Sequence, residues 1–252
     1  MMFGFIIIFS FNQSVKNFEP LKQMHRITIM NSKGGCGKTT IATNLAAYYA
    51  SNGNSTCLID HDPQGSSMNW LNRRSENSPV IHGINAKHKD ITSVNCQELQ
   101  PPVGTQVTII DSPAGIGLDI VTLRKLLENT DTLLLPVLPS PIDIHACAHF
   151  IETLLIQGGA KEIGVKLGDI GIVANRVKSN TVSYQSLHKF LDRLGIPFVA
   201  SLNDAQNYVF ANENGLGIHE LSKSRNVKDY GQWVKILSWL DRKAMEKRNK
   251  AK

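Results

Sequence analysis

The chain has 252 residues, 42% of them hydrophobic, and a formal net charge of +6; this is enough for one large α/β domain with a buried core, and the composition excludes disordered, fibrous and repeat classes. Four cysteines, at 36, 57, 96 and 147, form no C-x-x-C pair, which argues against a zinc site or disulfide framework and for a reducing cytoplasm. The charge is uneven: from Ser179 to Lys252 twelve Lys/Arg face seven Asp/Glu, an excess suited to a polyanion, either nucleic acid or anionic membrane, with a solvated basic face as the plainer reading.

Met1–Phe11 (MMFGFIIIFSF) is apolar but too short to span a bilayer. It has no basic n-region and no small-residue cleavage site. Residues 1–23 therefore read as a mis-assigned start or a disordered extension ahead of Met24, with a weak membrane anchor as the alternative. The folded domain is expected over 24–241, and 242–252 as a basic tail.

Arg26–Met30 (RITIM) reads as a short buried strand, and Thr40–Ala50 (TIATNLAAYYA) carries apolar residues at helical spacing. Between them lies Asn31–Thr40, NSKGGCGKTT. Glycines let successive backbone N–H groups converge on phosphate oxygens without Cβ clashes, and the following helix N-terminus adds unpaired donors. Lys38 is placed to reach the β/γ-phosphates and Thr39 to ligate Mg²⁺. The usual G-x-x-x-x-G-K-[ST] pattern fails at its first glycine, which is Ser32, and Lys33 follows. Read without further context, Lys33 is a solvated surface lysine. Cys36 fills the variable position as a small residue, and a thiol beside phosphate-binding N–H groups is a candidate for a lowered pKa.

Further strands are expected at Ser55–Asp60, Gln106–Asp111, Thr132–Val137, Asp169–Asn175 and Pro197–Ala200. Helices are expected at Leu118–Glu128, Ile144–Ile156 and Val182–Leu194. The alternation predicts an α/β fold, a single-domain P-loop nucleoside triphosphatase whose mostly parallel sheet is covered by helices on both faces. Asp60–Gln64 (DHDPQ) and Ile109–Pro113 (IIDSP) both end strands with carboxylates, at the edge of the sheet where α/β proteins bind ligands. Either stretch alone is also an ordinary acidic turn. Asp111 has the setting of a carboxylate that holds Mg²⁺ through water.

The stretch Lys33–Thr39 resembles the deviant Walker A motif, K-G-G-x-G-K-[ST], of the ParA/MinD superfamily, and DHDPQG resembles the D-x-D-P-Q-G switch of ParA proteins. Asp111-Ser112-Pro113-Ala114 is similar to the second switch, with alanine where a second proline is common. PVLPSPIDIHA at 136–146, NGLGIHEL at 214–221 and DYGQWVKILSWL at 229–240 extend the likeness over residues 25–240. The resemblance implies that Lys33, Gly34, Gly35, Cys36, Gly37, Lys38, Thr39 and Thr40 hold ATP. It further implies that Lys33 crosses a dimer interface to the partner's nucleotide, that Asp60 lies near Mg²⁺ through water, and that Asp62 orients the attacking water or transmits nucleotide state. Lys33, Lys38 and Asp62 are then the catalytic set. Asn175, with Arg176, stands where the family hydrogen-bonds adenine, although a strand-end turn residue reads the same way.

Trp233, Ile236, Leu237, Leu240 and Ala244 recur at helical spacing, and the tail beyond Arg242 is basic with little apolar surface. Charge without buried apolar area suits DNA phosphates better than lipid insertion. Lys223, Arg225, Lys228, Arg242 and Lys243 are the candidate contacts. The implied protein is a short ParA-type ATPase without an N-terminal helix-turn-helix. It dimerises on ATP–Mg²⁺, holds nucleoid DNA without sequence preference in the cytoplasm, and positions a plasmid, a chromosomal locus or a protein cargo such as a carboxysome (the McdA type) or a chemotaxis cluster. An adaptor on the cargo would stimulate its slow hydrolysis. A MinD-like membrane regulator of division-site placement is the alternative. A nitrogenase-reductase-like carrier is rejected because Asp111–Val121 contains no cysteine.

Overall fold

A computed structural model of the chain describes residues 24–87, 99–113, 120–156, 158, 159, 162, 165–178 and 195–250. The expected extension at 1–23, the helix at Val182–Leu194, and Ala114 lie outside the described residues. Seven strands form one sheet: β1 (His25–Ile29), β2 (Thr56–Asp60), β3 (Ile81–Asn85), β4 (Val107–Asp111), β5 (Thr132–Val137), β6 (Ile170–Val177) and β7 (Phe198–Asn203). Their spatial order is β3-β2-β4-β1-β5-β6-β7, and every pairing is parallel. The sheet is thus wholly rather than mostly parallel. The edge strand β3 was not foreseen, because HGI at 82–84 is short, contains glycine and has exposed positions on both sides of Ile84.

Among the described residues there are six α-helices: α1 (Lys38–Ser51), α2 (Ser66–Leu71), α3 (Ile120–Glu128), α4 (Pro141–Ile156), α5 (Gln206–Glu213) and α6 (Lys223–Lys250). Strand residues alternate between two cores, as a period of two requires. Ile27, Leu58, Ile109, Leu134 and Val173 meet α1, α2 and α6 on one face. Cys57, Ile110, Leu133, Leu135 and Ile172 meet α3 and α4 on the other. Burial on both faces is why the strands read as continuous apolar runs.

The first residues of α4 explain the PSPID stretch. The Asp143 amide donates to Ser140 Oγ at 3.2 Å, and the Ser140 hydroxyl donates to the Asp143 carboxylate. Serine thus caps the helix, with an acidic third residue beside its positive end and proline at the first helical position. In α6, Trp233, Ile236, Leu237, Leu240 and Ala244 are all buried, so the apolar stripe packs on the domain as expected. The helix continues unbroken through residue 242, where the basic tail was expected to begin.

The chain steps from β4 to β5 across β1, so the strand order reverses at the centre of the sheet. A crevice at the carboxyl ends of the strands opens at such a reversal. The loop at 31–37 leaves β1 at this point.

Candidate nucleotide site

The loop is braced from both sides. Asn31 Nδ2 donates to the Pro136 carbonyl at 2.6 Å, and Asn31 Oδ1 accepts from the Lys33 amide at 3.2 Å. Gly37 caps α1 with φ 99°, a conformation that L side chains avoid. A Cβ there would also sit 1.9 Å from Asn175 Nδ2, so two independent constraints demand glycine. Lys38 is buried and its Nζ donates to the Lys33 carbonyl at 3.2 Å. The loop therefore orients its own lysine, and the Gly34 and Gly35 backbone stays exposed.

Cys36 departs from expectation. Its thiol is buried and donates to the Lys33 carbonyl at 3.2 Å. Burial pushes its pKa up, and the opposing pull of Lys38 is smaller. The lowered pKa expected from the loop's N–H groups is corrected: desolvation of the thiolate outweighs them.

The three strand-end aspartates have distinct settings. Register places Asp60 opposite Asp111 and Asp111 opposite Ile29, so both carboxylates flank the loop. Asp60 is fully buried: Oδ1 accepts the Asp62 amide at 3.0 Å, and Oδ2 accepts the Ser67 and Met68 amides at 3.0 and 3.1 Å. It caps α2, the helix that follows the DHDPQG stretch. Asp62 is half-buried and accepts the Gln64 amide at 2.9 Å, shaping the turn. Asp111 is also fully buried, yet neither carboxylate oxygen has a hydrogen-bond donor. Burial raises its pKa to about 7, while the nearby Thr39 hydroxyl and Lys38 lower it and Asp60 raises it. Next to it, burial pushes the His61 imidazole down to about 4.

A buried carboxylate with no donor carries a desolvation cost that a cation and its water shell would offset. Asp111, beside the Thr39 hydroxyl, thus fits a hydrated Mg²⁺ of the kind that binds through one or two protein groups plus phosphates. Among the described residues, no three His, Cys, Asp or Glu converge as a metal cluster, so no all-protein cage competes with that reading.

Beyond the loop, a cleft of about 430 Å³ is lined by Gly35, Gly37, Thr39, Asn175, Arg176 and Tyr208 among others. Its volume suits a nucleotide-sized ligand. Asn175 lies within β6 rather than at its end, and its Nδ2 donates to the Cys36 carbonyl at 2.8 Å. The asparagine is therefore already braced against the phosphate loop. Arg176 is the one non-glycine among the described residues at positive φ (52°), at a register shift between β6 and β7. The bulge turns its side chain outward, where Nε pairs with Asp204 at 3.3 Å over the cleft. Asp204 and Tyr208 carry no motif of their own, and only the positions after β7 could have flagged them.

Of the basic candidates, Arg225, Lys228 and Arg242 are exposed. Lys243 is 13% exposed, held by Asp169 at 3.3 Å and Glu246 at 2.8 Å. The Lys223 side chain is outside the described set. No helix among the described residues is long and apolar enough to cross a membrane.

The sequence profile of the CobQ/CobB/MinD/ParA nucleotide binding domain matches residues 27–218. The chain is 30% identical over 209 residues to the maintenance of carboxysome distribution protein A of Halothiobacillus neapolitanus, covering 81% of this chain and 91% of that protein. It is 35% identical over 134 residues to the chromosome-partitioning ATPase Soj of Thermus thermophilus, half of each. Among solved structures, an ATP complex of Cyanothece McdA superposes with TM-score 0.66 at 17% identity, covering 85% of this chain and 96% of that one. The MinD cell division protein of Aquifex aeolicus gives 0.63 at 18%, covering 89% and 97%. At such identities the superpositions speak for the fold alone.

Proposed function

The chain belongs to the CobQ/CobB/MinD/ParA nucleotide-binding family, and from that premise we propose that it is a ParA-type ATPase that dimerises on ATP and positions a cargo on DNA. The observation that carries the reading is the loop itself: Lys33 and Lys38 flank a glycine cradle beside a buried, donor-free carboxylate. One lysine suffices to bind the phosphates within a subunit. The second is half-exposed, and in this reading it serves a nucleotide held by another copy.

In this reading Gly34–Thr40 bind the phosphates, Lys38 neutralises the β/γ charge, and Asn175 with Arg176 borders the base. Thr39 and Asp111 hold Mg²⁺, with Asp60 shaping the switch behind them. The metal would neutralise charge on the phosphates. Asp62 orients water, which is most of what phosphoryl transfer asks of a protein. Exposed Arg225, Lys228 and Arg242 supply phosphate contacts that read no bases, whereas Lys243 is committed to Asp169. The nucleoid is then the expected location, and a cargo-bound adaptor stimulates hydrolysis. Likeness to the carboxysome distribution protein over 91% of its length favours a protein cargo. The MinD-like membrane reading is disfavoured because α6 spends its apolar stripe on the domain core.

Size-exclusion chromatography should give a dimer with ATP and a monomer with ADP. DNA affinity should appear with ATP and fall about a thousandfold between roughly 50 and 200 mM salt if about six phosphates are contacted per dimer. A monomer in both nucleotides with no DNA affinity would sink the proposal.

A further inference from the structure

Between the nucleotide site and the basic helix lies a buried polar junction that neither binding nor hydrolysis uses. Arg74, just after α2, meets Glu220, just before α6. Nη2 lies 2.8 Å from Oε1 and Nη1 2.9 Å from Oε2, and the side chains are 5% and 12% exposed. The same guanidinium donates to the Gly215 carbonyl at 2.9 Å and stacks 5.1 Å from the Trp70 ring. Trp70 Nε1 donates to the Leu216 carbonyl at 3.2 Å. Glu220 also accepts from the Gly217 amide at 2.7 Å and the Ser51 hydroxyl at 3.1 Å.

The backbones approach as closely as the side chains. A Cβ at Gly215, whose φ is +63°, would lie 2.6 Å from the Arg73 and Arg74 backbone. The segment 215–220 is therefore keyed to the carboxyl end of α2. It is keyed to α1 as well, since Asn44 Oδ1 accepts the Ile218 amide at 2.7 Å while Asn44 Nδ2 donates to the Thr40 carbonyl at 2.8 Å. At the other end of α2, Asp60 caps the Ser67 and Met68 amides. A six-residue helix thus runs from a carboxylate beside the phosphate site to a bidentate ion pair at the root of α6.

We propose that the Arg74–Glu220 pair couples the switch helix α2 to α6, so that the phosphate state of the nucleotide sets the position of the helix bearing Arg225, Lys228 and Arg242. Coupling requires an element that two sites bias together, and α2 with segment 215–220 is the body that both ends grip. A buried bidentate pair suits this task because its geometry is narrow: the fork and carboxylate align in one arrangement, and a shift of α2 must carry Glu220 with it or expose both charges. The inference rests on the nucleotide-switch reading of Asp60 and Asp62, but it does not depend on what α6 binds.

The test is amide hydrogen exchange on the full chain with Mg²⁺ and either ADP or a non-hydrolysable ATP analogue. In the wild type, exchange over 215–235 should differ between the two nucleotides by about fivefold or more, the lower end of ordinary coupling. Arg74→Met should shrink that difference below about twofold with both nucleotide affinities within about threefold of wild type. Arg74→Lys keeps the charge but loses the fork; it and Glu220→Gln serve if Arg74→Met does not fold, and should give intermediate values. A wild type whose 215–235 exchange ignores the nucleotide would overturn the proposal, as would a folded variant that keeps the full difference. A wild type that shows the exchange difference yet binds no DNA would refute the DNA reading and leave the coupling standing.

Discussion

At the carboxyl end of the sheet, Asp111 is fully buried with no donor on either oxygen, whereas at the amino end two part-buried lysines pair with carboxylates of the same chain. There Lys247 meets Asp131 at 2.6 Å and Lys243 meets Asp169 at 3.3 Å, pinning the last turns of α6 to the starts of β5 and β6. The Arg26 amide adds a 2.8 Å bond to Asp131, and His25 shares a 2.8 Å bond with Thr132. The same residue types thus serve opposite ends. Carboxylates paired within the chain hold the fold; one left unpaired leaves its desolvation cost to be offset by a ligand.

The largest expected contrast is at the loop. Lys38→Ala should lower ATP turnover by about 100- to 1,000-fold, the usual cost of removing one charge-stabilising group, with little change in the unfolding midpoint of the nucleotide-free protein. Asp111→Asn separates the two ends most sharply. It should lower Mg²⁺-dependent turnover by about 100-fold yet raise nucleotide-free stability by about 1 kcal/mol, since it removes a buried, unpaired charge beside Asp60. Loss of stability in that variant, measured by denaturant titration, would break the comparison.

Buried histidines should make both ends respond to acid, the amino end through His25. Burial lowers the folded pKa of His25 from 6.5 to about 4, against a smaller upward pull from Asp131. Between those values the unfolded chain binds more protons than the folded one. Stability is therefore fully present above about pH 6.5 and falls as pH drops toward 4, by about 3 kcal/mol for this residue. His61, also held near 4 by burial, titrates in the same window. His25→Gln should flatten, but not abolish, the pH dependence of the unfolding free energy. Smallest is Lys247→Ala, expected to cost about 1 kcal/mol of stability because the pair is part-exposed, with nucleotide affinity unchanged in a titration.

Much of the phosphate end was legible in order of residues. Strand, glycine loop and helix are set by local patterns, so β1, the loop and α1 fell where Arg26–Ala50 placed them, and the aspartates ending β2 and β4 were found by the same token. The cleft beyond the loop is half-legible: Asn175 and Arg176 stand out in the sequence, whereas Asp204 and Tyr208, which line the same cleft, carry no motif. The helix α2 escaped notice because six residues carry too little periodicity to stand out, and Asp60, some turns of chain earlier, supplies its cap.

Sequence alone determined what neighbours along the chain can determine: glycines where backbone must approach phosphate, apolar runs where strands are covered on both faces, and a helix stripe that must be buried. Only the tertiary structure decided which charges are satisfied. Asn175 reaches Cys36 across 139 residues and Arg74 reaches Glu220 across 146, and no local pattern encodes such distances. The cost of a buried charge depends on whether a partner arrives from elsewhere in the fold. For that reason Lys243, one more basic residue in the sequence, is a structural clamp in the fold, and Asp111, one more strand-end acid, is a fully buried carboxylate with no donor on either oxygen.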